Sequence, residues 1–142
     1  MNIKQALKLK NKLVAEIKEQ YKIATDYNSI EQGNVRRFGI KEALTKAEEL
    51  TKQLIGLKTK IHAANAPVYG KIFEMSELKS TIKQLRSIPT TEGKIVGRYN
   101  STTEVKEVEI NAAEMTTMIK TIEKRIEELQ DELDAHNAST VI

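Results

Sequence analysis

The sequence predicts a mainly α-helical fold: an antiparallel coiled-coil-like bundle of three long helices and one short helix, with a small β-hairpin inserted before the last helix. Charged residues make up 30% and aromatic residues 4% of the 142 residues, which is typical of long-helix proteins. Apolar residues recur at alternating spacings of three and four along most of the chain. Between residues 93 and 110 the spacing changes to two, which indicates strands. A chain of this length is expected to form one domain, here residues 1–142.

The first two predicted helices carry long heptad patterns. The first runs from about Asn2 to Thr25 and the second from about Lys41 to Asn65. The apolar seam of the first helix comprises Ile3, Leu7, Val14, Ile17, Tyr21 and Ala24. The seam of the second comprises Ala43, Ala47, Leu50, Leu54, Leu57, Ile61 and Ala64. Such seams pack against other helices. Because the core of one copy is thin, we expect a homo-oligomer.

The third predicted helix is short, from about Glu74 to Ser87, and it ends before Pro89. Its apolar face comprises Met75, Leu78, Ile82 and Leu85. The fourth helix runs from about Asn111 to His136, with Asn111 as its N-cap. Its seam comprises Met115, Ile119, Ile122, Ile126, Leu129 and Leu133. The acidic end of this helix is unfavourable for the helix dipole, so we expect a basic neighbour, for which the lysine-rich first helix is the natural candidate.

Two predicted helix ends resemble each other. The second helix ends in IHAAN and the fourth in DAHN, each followed by Ala. Because Asn tolerates the left-handed conformation after the last helical turn, Asn65 and Asn137 are predicted to form matching C-caps. An internal duplication is the alternative interpretation of this short match.

Two segments lie outside the helical patterns. Residues 93–110 predict a hairpin insert, with one strand around residues 94–99, a polar turn at 100–103 and a second strand that alternates apolar residues with glutamates up to residue 110. A lone hairpin is marginal in water, so it needs a packing partner. The loop from about residue 26 to residue 40 is long for a compact domain, and we expect it to be either mobile or functional.

Composition and motifs exclude several classes of function. The chain has no cysteine, which removes disulfides, thiolate metal sites and cysteine nucleophiles. The net charge of +3 comes from interspersed charges, so neither nucleic acid nor a membrane is an expected partner. The N-terminus lacks the pattern of a signal peptide, so we expect a cytoplasmic protein. There is no recognisable catalytic, cofactor-binding or metal-binding motif, and we therefore expect a protein that is not an enzyme and has no cofactor.

Arginine and aromatic residues in the non-helical segments, with one arginine at the end of the third helix, are the candidate ligand contacts. The predicted ligand-binding residues are Arg98, Tyr99, Arg36, Arg37 and Arg86. Arginine suits bidentate recognition of phosphate or carboxylate groups. Tyr99 beside Arg98, and Phe38 beside Arg37, pair an aromatic ring with a guanidinium in a way that suits a nucleotide. The alternative for each residue is structural: an arginine paired with the acidic fourth helix, or an aromatic ring that fills a thin core.

The order of several short motifs resembles a known family. The motifs are KQALKLKNKLVAEI, IHAAN, SELKSTIKQLRS, GRYN followed by VKEVEI, and the tail HNASTVI. In this order they resemble the small bacterial and phage proteins named septicolysin, over nearly the whole chain. The resemblance implies a helical fold and oligomerisation and no established reaction. Asn65, Asn137 and the Arg98-Tyr99 pair match best, whereas Ala138 stands where that family places a tryptophan.

Two classes of function follow from these expectations. In the first, a non-enzymatic homo-oligomer binds or sequesters a small anionic ligand, such as a signalling nucleotide, at sites between subunits. In the second, the chain is a structural or adaptor coiled coil whose partner is another protein. The two classes differ in whether Arg98 and Tyr99 face a shared pocket or the acidic Glu128 and Asp131.

Overall fold

The computed structural model describes residues 1–96 and 103–142, and the fold of this part is mainly helical with a small antiparallel sheet, as predicted. The elements in chain order are α1 (Ile3–Tyr27), α2 (Ile40–Ala64), a 3-10 turn (Ala66–Val68), α3 (Tyr69–Arg86), β1 (Gly93–Val96), β2 (Thr103–Lys106) and α4 (Ala112–Ser139). The chain divides into two compact units. Unit 1 comprises Met1–Pro67 with Ala135–Ile142, and unit 2 comprises Val68–Asp134.

The two long helices of unit 1 form an antiparallel hairpin. Met1, before α1, lines one cavity with Gly56 and Lys60 near the end of α2. Asn28, after α1, lines a second cavity with Ile40 at the start of α2. The hydrophobic core between the helices comprises Ala6, Leu13, Leu50, Leu57 and Ile61. Burial of these side chains, at roughly 25 cal/mol per Å² of apolar surface, is the main stabilising contribution in this unit.

The predicted seam of α2 is confirmed, whereas that of α1 is partly wrong. In α1, Ala6 and Leu13 are buried, while Val14 remains 48% exposed and Tyr21 51% exposed. Two stripes of heptad spacing are possible on this helix. One runs through positions 7, 14 and 21 and the other through 6, 13 and 20, and both include 3, 10, 17 and 24. Spacing alone therefore does not decide which stripe is buried. The small side chain of Ala6 lets α2 approach closely on the second stripe, since interaxial distance follows the side chains at the contact.

The last residues of the chain pack against its first residues within unit 1. Asn2 caps α1 by accepting from the Gln5 amide at 2.8 Å, and its Nδ2 donates to the Ala138 carbonyl at 3.0 Å. The Ile142 amide donates to the Met1 carbonyl at 2.9 Å. Residues near both ends of the chain therefore complete the same unit.

The predicted C-cap is confirmed at Asn65 but wrong at Asn137, and the left-handed conformation expected of both is found at neither. Asn65 does follow α2, but with right-handed angles of φ −85° and ψ −6°. Asn137 lies inside α4, which continues to Ser139. His136 of α4 contacts the end of α2 instead. Its Nε2 lies 3.1 Å from the Ala64 carbonyl, and its Nδ1 lies 3.1 Å from Thr140 Oγ1. The imidazole thus supplies a partner for an otherwise uncapped helix carbonyl.

Unit 2 contains α3, the strands and most of α4. Its buried side chains are Val68, Ile82, Met115, Leu129 and Leu133. The N-cap prediction for α4 is confirmed, since Asn111 Oδ1 accepts from the Glu114 amide at 2.8 Å. Helix α3 begins at Tyr69, five residues before the predicted start. No Ser, Thr, Asp or Asn cap marks that start, because Val68 stands at the N-cap and the 3-10 turn leads directly into the helix.

The two strands pair in the order predicted, but the second is shorter than expected. Gly93 pairs with Lys106 and Val96 pairs with Thr103 in antiparallel register. Gly93 has φ +90°, so the chain before it leaves the strand direction and offers no partner to residues beyond Lys106. The predicted second strand therefore ends about four residues early. The segment 97–102 lies outside the described residues. It includes Arg98 and Tyr99 from the end of the first predicted strand and most of the predicted turn.

Within residues 1–96 and 103–142, none of the helices combines the length and the apolar character needed to cross a membrane.

Candidate functional site

The candidate site is a cavity of about 480 Å³ where the loop after α1 meets the first turn of α2. It is lined by Asn28, Arg36, Gly39, Ile40, Lys41, Glu42 and Leu44. Two cations, Arg36 and Lys41, and one carboxylate, Glu42, contribute to this lining. The formal charge of the cavity walls is therefore +1, which favours a small anion.

Arg36 is held in place by the end of α1. Its Nη1 donates to the Tyr27 carbonyl at 2.7 Å and to the Asn28 carbonyl at 3.1 Å. The last turn of α1 contains no basic residue of its own, so Arg36 supplies the positive charge that the carboxyl end of a helix favours. Both bonds use a single nitrogen, and the guanidinium carries further N–H groups on Nε and Nη2. Arg36 thus combines a structural bond with donors suited to an acceptor in the cavity.

A second contact fixes the same loop. The rings of Phe38 and Tyr27 lie with centroids 4.7 Å apart and planes inclined at 53°. This tilted geometry is favourable for aromatic pairs. Together with the Arg36 bonds, it attaches the segment 36–38 to the last turn of α1, so the long loop has a defined path at the cavity.

The amino end of α2 forms one wall of the cavity. Its N-cap is Gly39, which has no side chain to accept from the first-turn amides. Uncapped amides and the helix dipole favour an anion at this position. Glu42 in the first turn places one carboxylate there, with Oε2 about 3.0 Å from where a Cβ on residue 39 would lie. A Cβ at position 39 would therefore shift the flexible end of the Glu42 side chain.

The structure separates the other predicted ligand residues. Arg37 follows Arg36 on the exposed loop of unit 1. Arg86 is the last residue of α3 in unit 2, and its Nη2 donates to Glu123 Oε1 of α4 at 3.1 Å. For Arg86 the structural alternative, a pair with the acidic fourth helix, is thus present. Arg98 and Tyr99 lie outside the described residues.

An ion-pair network in unit 2 was missed by sequence reasoning. Arg125 of α4 donates from Nε and Nη2 to the two carboxylate oxygens of Glu74 on α3, at 2.9 Å and 3.1 Å. Lys71 pairs with Glu132 at 2.6 Å. Lys71 of α3 is therefore a basic neighbour of this acidic helix end. Hydrogen bonding to Arg125 lowers the pKa of Glu74, and hydrogen bonding to Lys71 lowers the pKa of Glu132.

The cavity residues Asn28 and Lys41 were also missed. Asn28 follows the end of α1 and Lys41 lies in the first turn of α2, and neither residue type marks a ligand site at such a position. Among the described residues, His, Asp and Glu side chains form no cluster of three or more that suits a metal ion.

Comparison of the chain with models of protein families, with curated proteins and with solved structures gives no significant match in any of the three. The class that fold and cavity define is a helical-hairpin protein with a basic pocket at the helix turn.

Proposed function

We propose that this chain is a non-enzymatic, homo-oligomeric binding protein that holds a small anionic ligand, such as a signalling nucleotide, in the cavity beside Arg36. One observation carries the proposal: a guanidinium, an ammonium and the uncapped amino end of α2 line a single cavity. Its volume lies in the range of about 300–1,000 Å³ that is typical of small-molecule sites. The location we propose is the cytoplasm.

Recognition would rest on charge-assisted hydrogen bonds. A phosphate or carboxylate group near the α2 amides would accept from the backbone, from Lys41 and from the Arg36 nitrogens that do not bond α1. Because Arg36 is anchored to α1, little side-chain freedom is lost on binding. In the oligomer, further contacts would come from the other predicted ligand residues: Arg37, Arg86, Arg98 and Tyr99. The likeness to the septicolysin family remains a prediction.

The test is a calorimetric titration with a panel of linear and cyclic nucleotides, preceded by native mass spectrometry of gently purified protein. Arg36→Ala would also uncap α1, so the informative variant is Lys41→Gln. It should raise the Kd of any bound nucleotide by about tenfold, the value of one charge-assisted hydrogen bond.

Lys46→Gln is the matched control, because it removes the same charge from the exposed face of α2 without lining this cavity. Equal effects of the two variants would show that only the general charge of the helix matters. A chain that binds no member of the panel would contradict the proposal.

The second candidate is a structural or adaptor coiled coil that binds another protein. Two observations favour it: Arg36 and Arg86 already donate to groups of this chain, and several large apolar side chains stay exposed. An adaptor would ignore the whole nucleotide panel and still associate through its helix faces.

A further inference from the structure

The α1–α2 hairpin exposes a set of apolar side chains that its own core does not use. These residues, which we call the open face, are Val14, Tyr21, Leu44 and Ile55, with exposed fractions of 48%, 51%, 44% and 59%. Val14 and Tyr21 are seven residues apart, so they lie on the same side of α1, two turns from each other. Leu44 and Ile55 are eleven residues apart, close to three full turns of α2.

Helix geometry places both pairs on the same side of the hairpin. Val14 follows the buried Leu13, and Leu44 follows the buried Ala43. Each is therefore displaced from its seam in the same rotational sense along its own helix. Because α1 and α2 run in opposite directions with their seams facing, equal displacements bring the two sets to one side. The open face thus lies on one side of the hairpin, with the charged Lys18 and Glu48 on the same side between its apolar residues.

The open face belongs to a unit with a positive net charge. Lys18 lies one turn from Val14 and Lys58 one turn from Ile55, whereas Glu48, one turn from Leu44, pairs with Lys52 at 3.0 Å. Unit 1 as a whole carries 13 Lys and Arg against 7 Asp and Glu, a net charge of +6. Unit 2 carries 10 against 13, a net charge of −3. The modest total of +3 therefore conceals two units of opposite sign.

Unit 2 exposes an aromatic residue on the side of α3 that faces away from its core. Phe73 is 64% exposed, whereas Ile82 is buried. Nine residues separate them, which is two and a half turns, so they lie on opposite sides of the helix. The Phe73 ring stacks on Tyr69 with centroids 5.9 Å apart and planes 17° from parallel. Glu77, exposed one turn further along, places a carboxylate beside this aromatic pair.

We propose that the open face of one copy binds the aromatic and acidic surface of unit 2, centred on Phe73, of a second copy. Apolar contact would come from Phe73 of the partner subunit against Val14 and Tyr21, and opposite charges would surround it. A self-contact between two open faces is disfavoured, because it would bring together two units of charge +6. The contact is heterologous, so it generates a ring if it closes and a filament if it does not.

This inference specifies the homo-oligomer of the proposed function and rests on that part of it alone. Its test uses sedimentation velocity of the full chain without nucleotide. Assembly is therefore measured independently of nucleotide binding, and either result can be positive when the other is negative. The two interface variants are Val14→Asp and Phe73→Asp, with Ile55→Asp as a second open-face variant if Val14→Asp loses helicity by circular dichroism. The matched control is Val105→Asp, an exposed valine of β2.

Each interface variant alone should be monomeric, with association weakened at least about tenfold, while the control assembles like the wild type. An equimolar mixture of the two variants should form dimers and nothing larger. The Val14→Asp copy keeps an intact Phe73 surface and the Phe73→Asp copy keeps an intact open face, so one contact remains. A mixture that stays monomeric, a Phe73→Asp chain that assembles normally, or a monomeric wild type would each overturn the proposal.

Discussion

Gly56 lies in the interior of α2, where no side-chain role requires glycine. A Cβ at this position would meet no atom within 4 Å. Gly56→Ala is therefore expected to raise the free energy of unfolding by about 1 kcal/mol, because alanine loses less backbone entropy in a helix. Urea denaturation followed by circular dichroism measures the change.

Gly93 is the matched control, because its φ of +90° suits glycine and strains an L-residue. Gly93→Ala should lower stability although open space surrounds that position as well. A stabilising effect of both substitutions would mean that general chain stiffening, and not local conformation, determines the outcome.

Also at the residue scale, Arg36 shows how far the candidate site could be predicted. An arginine in a long loop was recognisable as a ligand candidate from its residue type. Its bonds to the Tyr27 and Asn28 carbonyls were not, because they depend on how the loop folds back onto α1. Lys41 was not predicted, since nothing in the local sequence distinguishes it from the other exposed lysines of α2.

At the scale of elements, the helices were predictable and their contacts less so. The α2 seam was found because only one stripe of its apolar residues is continuous. The α1 seam was not, because Ala6 and Leu13 compete with Leu7 and Val14, and packing against α2 decides between them. The early start of α3 has no capping residue to mark it, and the short β2 follows from the left-handed conformation of Gly93.

The ion pairs between α3 and α4 predict an acid-sensitive element. The pKa values of Glu74 and Glu132 are lowered below 4.5 in the folded chain. Between the folded and the unfolded pKa the unfolded chain binds more protons, so stability rises with pH in that window and is lost as pH falls through the lowered values. The double variant Glu74→Gln/Glu132→Gln should therefore show a flatter decline of Tm from about pH 5 to about pH 3.

Glu127→Gln is the control for this measurement, since Glu127 is an exposed residue of α4 that belongs to no ion pair among the described residues. It should leave the slope as in the wild type. An unchanged slope in the double variant would mean that the network contributes nothing to acid stability.

At the scale of the whole molecule, the segregation of charge into two units predicts how association responds to salt. In the proposed assembly, contact between unit 1 of one copy, of charge +6, and unit 2 of another copy, of charge −3, is attractive, and salt screens that attraction. The dissociation constant measured by sedimentation should therefore increase between low and moderate ionic strength. Association that strengthens with salt would instead indicate contact between like-charged units.

The chain order of unit 1 has a consequence for synthesis. Residues 1–67 are synthesised before unit 2, but unit 1 is completed by residues 135–142, which are synthesised after unit 2. Unit 2 is continuous, so all of its residues are available before unit 1 can close. The Ala64 carbonyl gains its contact with the His136 imidazole only after some seventy further residues have been translated. During that interval the first two helices lack the residues that complete their unit, so their apolar surface is open to contacts with neighbouring chains.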